Sequence, residues 1–94
     1  MDSDQMAELK RSLKAEGYNI YVYSYPDGMI FPMHSHEYET IHVVLSGSMK
    51  VTMADTDHIL SPGTRFLVPP GVAHSAEVLG SSPVVCLDAT RPAR

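Results

Sequence analysis

Residues 33–47, MHSHEYETIHVVLSG, decide the fold and carry much of the chemistry of this chain. The stretch holds three of the five histidines inside a segment whose apolar residues follow the pattern of a half-buried strand. Burying an imidazole without a partner costs free energy. We therefore expect a ligand or a polar partner for His34, His36 and His42.

The spacing of the first two histidines predicts a pair of metal ligands. Alternate residues of a strand point to the same side of a sheet, so His34 and His36 should share a face. Their side chains would leave the backbone about 6.6 Å apart, which allows both imidazoles to reach one ion. A third ligand would have to come from another strand. By the same alternation Thr40, His42 and Val44 share a face of the next strand.

The composition describes one small domain. A chain of 94 residues that is 44% hydrophobic and 19% charged has room for a single core. The net charge of −4, without a basic stripe, argues against a nucleic-acid partner. The chain has no long apolar run or apolar leader, so we expect a cytoplasmic protein without a membrane partner. The lone Cys86 cannot form an intrachain disulfide and is expected to be a buried thiol.

Residues 1–17 predict a short N-terminal helix, and residues 18–94 predict a barrel. Met6, Leu9 and Leu13 lie at one-sided helical spacing, after a cap at Asp2 or Ser3 and before a stop at Gly17. After the glycine the chain changes to seven or eight short apolar runs separated by proline and glycine. This spacing is typical of an all-β barrel or sandwich.

Two blocks of residues carry a resemblance to a known family. The first block comprises Gly28, His34, His36 and Gly47, and the second comprises Gly63, Pro69, Gly71 and His74. Their spacings resemble the two motifs of the cupin superfamily. The chain departs from the motifs at two positions, with Thr40 in place of a glutamate and Val78 in place of an asparagine.

The resemblance implies a small antiparallel double-stranded β-helix, or jelly-roll barrel, with a metal site in its mouth. His34, His36 and His74 would hold a divalent transition metal. The missing glutamate leaves open what completes the ligand shell: Glu39 if a bulge turns it inward, or His42. Tyr38 and Thr40 are further candidates for the pocket. Ligation by imidazole alone favours Fe, Zn or Ni over Mn or Mg.

Several functions are compatible with such a site, and the sequence leaves open whether the chain is an enzyme. One is a three-histidine non-haem iron dioxygenase-type enzyme, because thiol and diketone dioxygenases of the superfamily also lack the glutamate. The alternative is a non-catalytic module that binds a metabolite or a sugar. A third is a structural dimer, and we expect a homodimer in each case. The interpretation without a metal function is a metal-free barrel whose histidines form hydrogen bonds with water and with each other.

Overall fold

The computed structural model describes residues 2–93 and confirms an all-β fold with a short N-terminal helix. Within these residues the chain forms one helix and eight strands. Their bounds are α1 Ser3–Ala15, β1 Asn19–Tyr25, β2 Ile30–His34, β3 Tyr38–Ser46, β4 Ser48–Met53, β5 Thr56–Leu60, β6 Arg65–Val68, β7 His74–Leu79 and β8 Val84–Pro92.

The strands form two four-stranded antiparallel sheets. One sheet has the order β1-β8-β3-β6 and the other has the order β2-β7-β4-β5. Strands that are neighbours in sequence therefore often lie in different sheets, as a double-stranded β-helix requires. Buried residues of both sheets, among them Val44, Met49, Val78 and Cys86, pack together in the interior.

Strand alternation divides the first sheet into an inner and an outer face. Thr40 and His42 of β3 line the inner cavity, whereas Ile41 and Val43 between and beyond them belong to a second core on the outer face. The side chain of a given residue therefore faces either the cavity or the helix, as its position on the strand dictates.

The helix α1 covers the outer face of this sheet. Asp2 caps it, because the Asp2 carboxylate accepts from the Gln5 backbone N–H and the Gln5 side chain accepts from the Asp2 backbone N–H. Leu13 is buried in the second core, and Met6 and Leu9 pack against it. The predicted apolar stripe is thus the buried one. No helix within residues 2–93 is both long enough and apolar enough to cross a membrane.

Gly47 forms the tight connection between β3 and β4. Its φ of +76° lies in the left-handed region, which favours glycine. A Cβ at this position would lie 2.5 Å from the Pro83 carbonyl oxygen and 3.0 Å from the Val84 Cα. The glycine therefore permits the β3–β4 connection to approach the start of β8 closely.

Candidate functional site

Three of the five histidines meet at one place in the barrel. The ring centroids of His34 and His36 are 4.7 Å apart, those of His34 and His74 are 4.4 Å apart, and those of His36 and His74 are 5.3 Å apart. One potential ligand atom from each of the three lies within 4.8 Å of the others. The structure thus brings together the histidines that the two sequence blocks supply.

The backbone explains why these side chains meet. His34 at the end of β2 lies opposite His74 at the start of β7 in the antiparallel ladder. The Gly71 backbone N–H donates to the His36 carbonyl at 2.7 Å, which ties the loop that carries His36 to the turn before His74. The expectation that His36 shares a strand with His34 is wrong, because β2 ends at His34 and His36 lies in the connection to β3. The backbone hydrogen bond to Gly71 holds that connection in place.

The hydrogen bonds of the rings leave nitrogen lone pairs for a ligand. His34 Nδ1 lies 2.7 Å from the Pro32 carbonyl oxygen, and His74 Nδ1 lies 3.0 Å from the Val72 carbonyl oxygen. A carbonyl oxygen only accepts, so each Nδ1 carries the hydrogen and the neutral ring has its lone pair on Nε2. Burial is the main cause that lowers the pKa of both His36 and His74, and the neighbouring His34 lowers both further. Both shifts favour the neutral form of His36 and His74, which is the form that metal ligation requires.

The three histidines form part of the wall of a cavity of about 620 Å³. Tyr21, Tyr23 and Tyr25, on the inner face of β1, form a stack with ring centroids 6.2 and 5.8 Å apart. Tyr21 and Tyr23 remain 46% and 44% exposed, because they face this cavity. The tyrosine-rich face of β1 therefore lines the cavity, and Tyr25 also packs against the buried core.

The residues predicted to complete the metal site or its pocket differ in whether they face the cavity. Tyr38, Thr40 and His42 all line the cavity, and the Tyr38 ring stacks on His36 at 4.8 Å. Glu39 does not line it. The Glu39 carboxylate accepts from the Tyr18 hydroxyl at 2.6 Å and forms an ion pair with Arg91.

No bulge turns Glu39 inward. From Tyr38 to Val44 the register of β3 with β8 is continuous, and it shifts only after Val44. Strand parity therefore keeps Glu39 on the face opposite Thr40. Thr40 is 4% exposed, and its Oγ1 is a buried polar atom without a hydrogen-bond partner in the described part of the chain.

His42 belongs to a second polar cluster in the cavity. Its Nδ1 lies 2.7 Å from Asp88 Oδ1, and the Cys86 thiol donates to the same oxygen at 3.2 Å. Cys86 is buried, as expected, and burial followed by the charge of Asp88 raises the pKa of its thiol. The thiol therefore stays protonated at neutral pH and is not an activated nucleophile.

The donor set fits a divalent transition metal held by nitrogen. Possible ligand atoms of three imidazoles lie within 4.8 Å of one another, and the unsatisfied Thr40 hydroxyl occupies the motif position of the missing glutamate. Metal–nitrogen distances of about 2.1 Å need ligand atoms closer together than 4.8 Å, which small ring rotations supply. The residues present therefore fit a metal site that has no carboxylate ligand from the protein.

Asp88 and the tyrosine wall were not predicted as parts of the site. Both had a signal in the sequence. The run YVYSY places a tyrosine at every second position, which aligns three rings on one face, and Asp88 is the single carboxylate in the apolar run VVCLDA. Whether these side chains face the cavity depends on the register of β1 with β8, which pairs Tyr23 with Cys86 and Tyr21 with Asp88. Only the strand pairing shows this register.

Comparisons with known proteins agree with this architecture. Residues 21–90 match the family model described as the cupin domain. KdgF from Halomonas sp. is 28% identical, with a TM-score of 0.70, and the match covers 80% of this chain and 69% of that one. The DMSP lyase DddQ from Ruegeria pomeroyi DSS-3 is also 28% identical, with a TM-score of 0.71, and the match covers 79% of this chain and 38% of that one.

A further structure supports the fold alone. The cupin domain of Cnp3 from Schizosaccharomyces pombe has a TM-score of 0.74 at 21% identity, over 80% of this chain and 56% of that one. The chain therefore spans little more than half of that structure and well under half of the lyase. No curated protein sequence matches the chain.

Proposed function

Because this chain belongs to the cupin domain family, we propose that it binds a divalent transition metal through His34, His36 and His74 and holds a small organic molecule beside it. The observation that carries the proposal is the gathering of the three rings at the wall of a cavity of about 620 Å³. That volume lies within the range of about 300–1,000 Å³ that is usual for ligand pockets.

The charge of the site favours an acidic ligand. Three neutral imidazoles leave both positive charges of a divalent ion uncompensated, since the motif's glutamate is replaced by Thr40. A carboxylate, enolate or similar oxygen would supply the missing negative charge at the open positions. All-nitrogen ligation from the protein also favours Fe, Zn or Ni, although the identity of the metal stays a prediction.

The aromatic wall favours a ligand with a flat or apolar face. The rings of Tyr21, Tyr23 and Tyr25 stack on one another along the cavity wall, and Phe31 packs edge-on against Tyr25 at 4.9 Å. An aromatic wall of this kind suits a sugar ring or a planar organic acid. The proposed ligand is therefore a small molecule with an acidic oxygen at one end and an apolar face along its length.

A more specific part of the proposal is that the protein converts the bound molecule to a product. A bound divalent metal supplies Lewis-acid polarisation of ligand oxygens or, if it is iron, redox chemistry. The lyase among the structural neighbours supports an enzyme over a passive binding module, although this chain spans 38% of that protein. A dioxygenase-type oxidation would show as oxygen consumption by Fe(II)-loaded protein with thiols, diketones or phenolic acids. Ligand-dependent thermal stabilisation without any product would favour the binding module.

Metal stoichiometry tests the proposal directly. We expect protein without a histidine tag to bind about one equivalent of Zn²⁺, Ni²⁺ or Fe²⁺, and alanine at His34, His36 or His74 to weaken binding by about 100-fold or more. His58→Ala is the matched control, because it removes an imidazole that lies outside the cavity and contacts Phe66. Unchanged affinity in all three variants, or equal losses in His58→Ala, would contradict the proposed site.

We also propose a homodimer, because a domain of 94 residues buries a limited core and leaves sheet edges open. The strands β1 and β2 end the two sheets, and the exposed Val22 and Ile30 are on them. Sedimentation at micromolar concentration is expected to give the mass of two chains, and a monomer would contradict this part of the proposal.

A further inference from the structure

The cluster of His42, Cys86 and Asp88 lies in the same cavity but is not needed to hold the metal. His42 on β3 and Asp88 on β8 are directly opposed in the antiparallel ladder, and both face inward. Their side chains are only 20% and 13% exposed. The pairing is thus set by the sheet itself and does not depend on a mobile loop.

Hydrogen bonds from two sides hold the Asp88 carboxylate. Oδ1 accepts from His42 Nδ1 at 2.7 Å and from the Cys86 thiol at 3.2 Å. Burial and then the charge of Asp88 raise the pKa of Tyr25 to about 12, and a hydrogen bond to Asp88 contributes to that rise. These donors satisfy the cluster as a hydrogen-bond network, with the thiol protonated, so a second metal ion is not needed to explain it.

This network fixes the tautomer of His42. Because a carboxylate only accepts, the neutral His42 ring carries its hydrogen on Nδ1 and its lone pair on Nε2. Nε2 has no hydrogen-bond partner among residues 2–93. An imidazole with a carboxylate behind it and a free nitrogen in front is arranged to accept a proton, because the carboxylate stabilises the imidazolium that forms.

We propose that His42 and Asp88 form a proton-accepting pair for an acidic group of the molecule that binds beside the metal. This inference rests on the proposed function. The O–H bond of that molecule breaks, its electron pair stays on the oxygen, and the proton bonds to His42 Nε2. The product is an imidazolium whose Nδ1–H remains on Asp88. The ligand is thereby held as its anion, and the cavity retains the proton.

Thr40 supports this assignment from an independent direction. Its hydroxyl lies two residues before His42 on the same face of β3, is almost completely buried and has no partner within the described residues. A buried hydroxyl without a partner is costly, so we expect the Thr40 side chain to rotate toward the cavity when a polar group of a bound molecule can satisfy it. The pair therefore takes a chelating acid that places one oxygen near Thr40 and its acidic hydrogen near His42.

Calorimetry with acetohydroxamic acid tests the proposal, because this small chelating acid loses its proton when it binds a metal. Binding to the zinc-loaded protein is measured at about pH 8, where an ordinary imidazole is neutral, in two buffers of different ionisation enthalpy. Wild-type protein should release close to no protons to the buffer. His42→Asn, which keeps an N–H for Asp88 but lacks Nε2, should release about one proton per ligand. His58→Asn is the matched control and should behave as wild type.

The outcomes distinguish this proposal from the proposed function. Zinc that fails to bind at the three histidines overturns both. Zinc that binds, with equal proton release from wild type and His42→Asn or with no binding of acetohydroxamic acid, overturns the proton-accepting pair alone.

A second measurement needs no variant. Nitrogen NMR of the metal-free protein at about pH 8 should place the His42 hydrogen on Nδ1, as the bond to Asp88 requires. A hydrogen on Nε2 would overturn the proposal even if His42→Asn does not fold.

Discussion

Replacing Gly47 by alanine should destabilise the protein for two separable reasons. The first is conformational, because the φ of +76° costs about 1–2 kcal/mol in a residue with a Cβ. The second is steric. The new Cβ would lie 2.5 Å from the Pro83 carbonyl oxygen and 3.0 Å from the Val84 Cα, and both are backbone atoms that cannot rotate away.

A comparison with a second glycine, Gly28, isolates the steric contribution to the loss of stability. Overpacking of this kind costs about 1–3 kcal/mol, so the two terms together give about 2–5 kcal/mol. Gly28 has a φ of +75°, but a Cβ there would meet no heavy atom within 4 Å. Gly28→Ala should therefore lose only the conformational term, and the difference between the variants measures the close approach at Gly47.

Thermal and urea unfolding followed by circular dichroism provide the assay. For a domain of this size, a loss of about 1 kcal/mol lowers Tm by about 4–8 °C. Gly28→Ala, which loses about 1–2 kcal/mol, should therefore lower Tm by about 4–16 °C. Gly47→Ala should lower Tm by about 8–40 °C and by more than Gly28→Ala does, or should fail to fold while Gly28→Ala folds. Equal losses in both variants would refute the reasoning, because they would show that the segments do not meet at residue 47.

Three further predictions concern the site and its surroundings. Glu39→Gln should lower the free energy of unfolding by about 1–3 kcal/mol, because the side-chain pair with Arg91 is largely buried, yet leave zinc affinity unchanged; a parallel loss of affinity would make Glu39 a ligand after all. Burial lowers the folded-state pKa of His36 and His74, so the unfolded chain binds more protons. The metal-free protein should therefore lose stability as the pH falls below about 6.5, and this loss should shrink in His36→Asn; unfolding between about pH 5 and 8 that shows the opposite slope would disprove it. Cys86 should react with a disulfide reagent much faster in urea than in buffer, since its thiol is buried and its pKa raised, and rapid labelling of the native protein would count against this.

Local features of the sequence predicted the fold and the gathering of three histidines. The stop at Gly17, the short strands and the second motif block that ends at His74 depend on residues that are close in sequence. The motif resemblance then linked His74 to His34, which the antiparallel pairing places opposite each other. These features survive because turn chemistry and strand alternation change little with tertiary context.

The remaining details depend on pairings between distant residues. Glu39 binds Tyr18 and Arg91, which are 21 and 52 residues away, and no local pattern indicates this outward anchor. Asp88 meets His42 across 46 residues, because β8 lies between β1 and β3 in the sheet. Sheet order is a property of the whole chain, so neither contact could be predicted from its own segment.

The tyrosine stack also gives the protein a built-in optical reporter. The chain has five tyrosines and no tryptophan, and four of the tyrosines, at positions 21, 23, 25 and 38, line the cavity. Most of its ultraviolet emission is therefore expected to originate from rings that line the cavity. A paramagnetic ion or an absorbing guest that enters should dim that emission, so occupancy can be followed in the unlabelled wild-type chain.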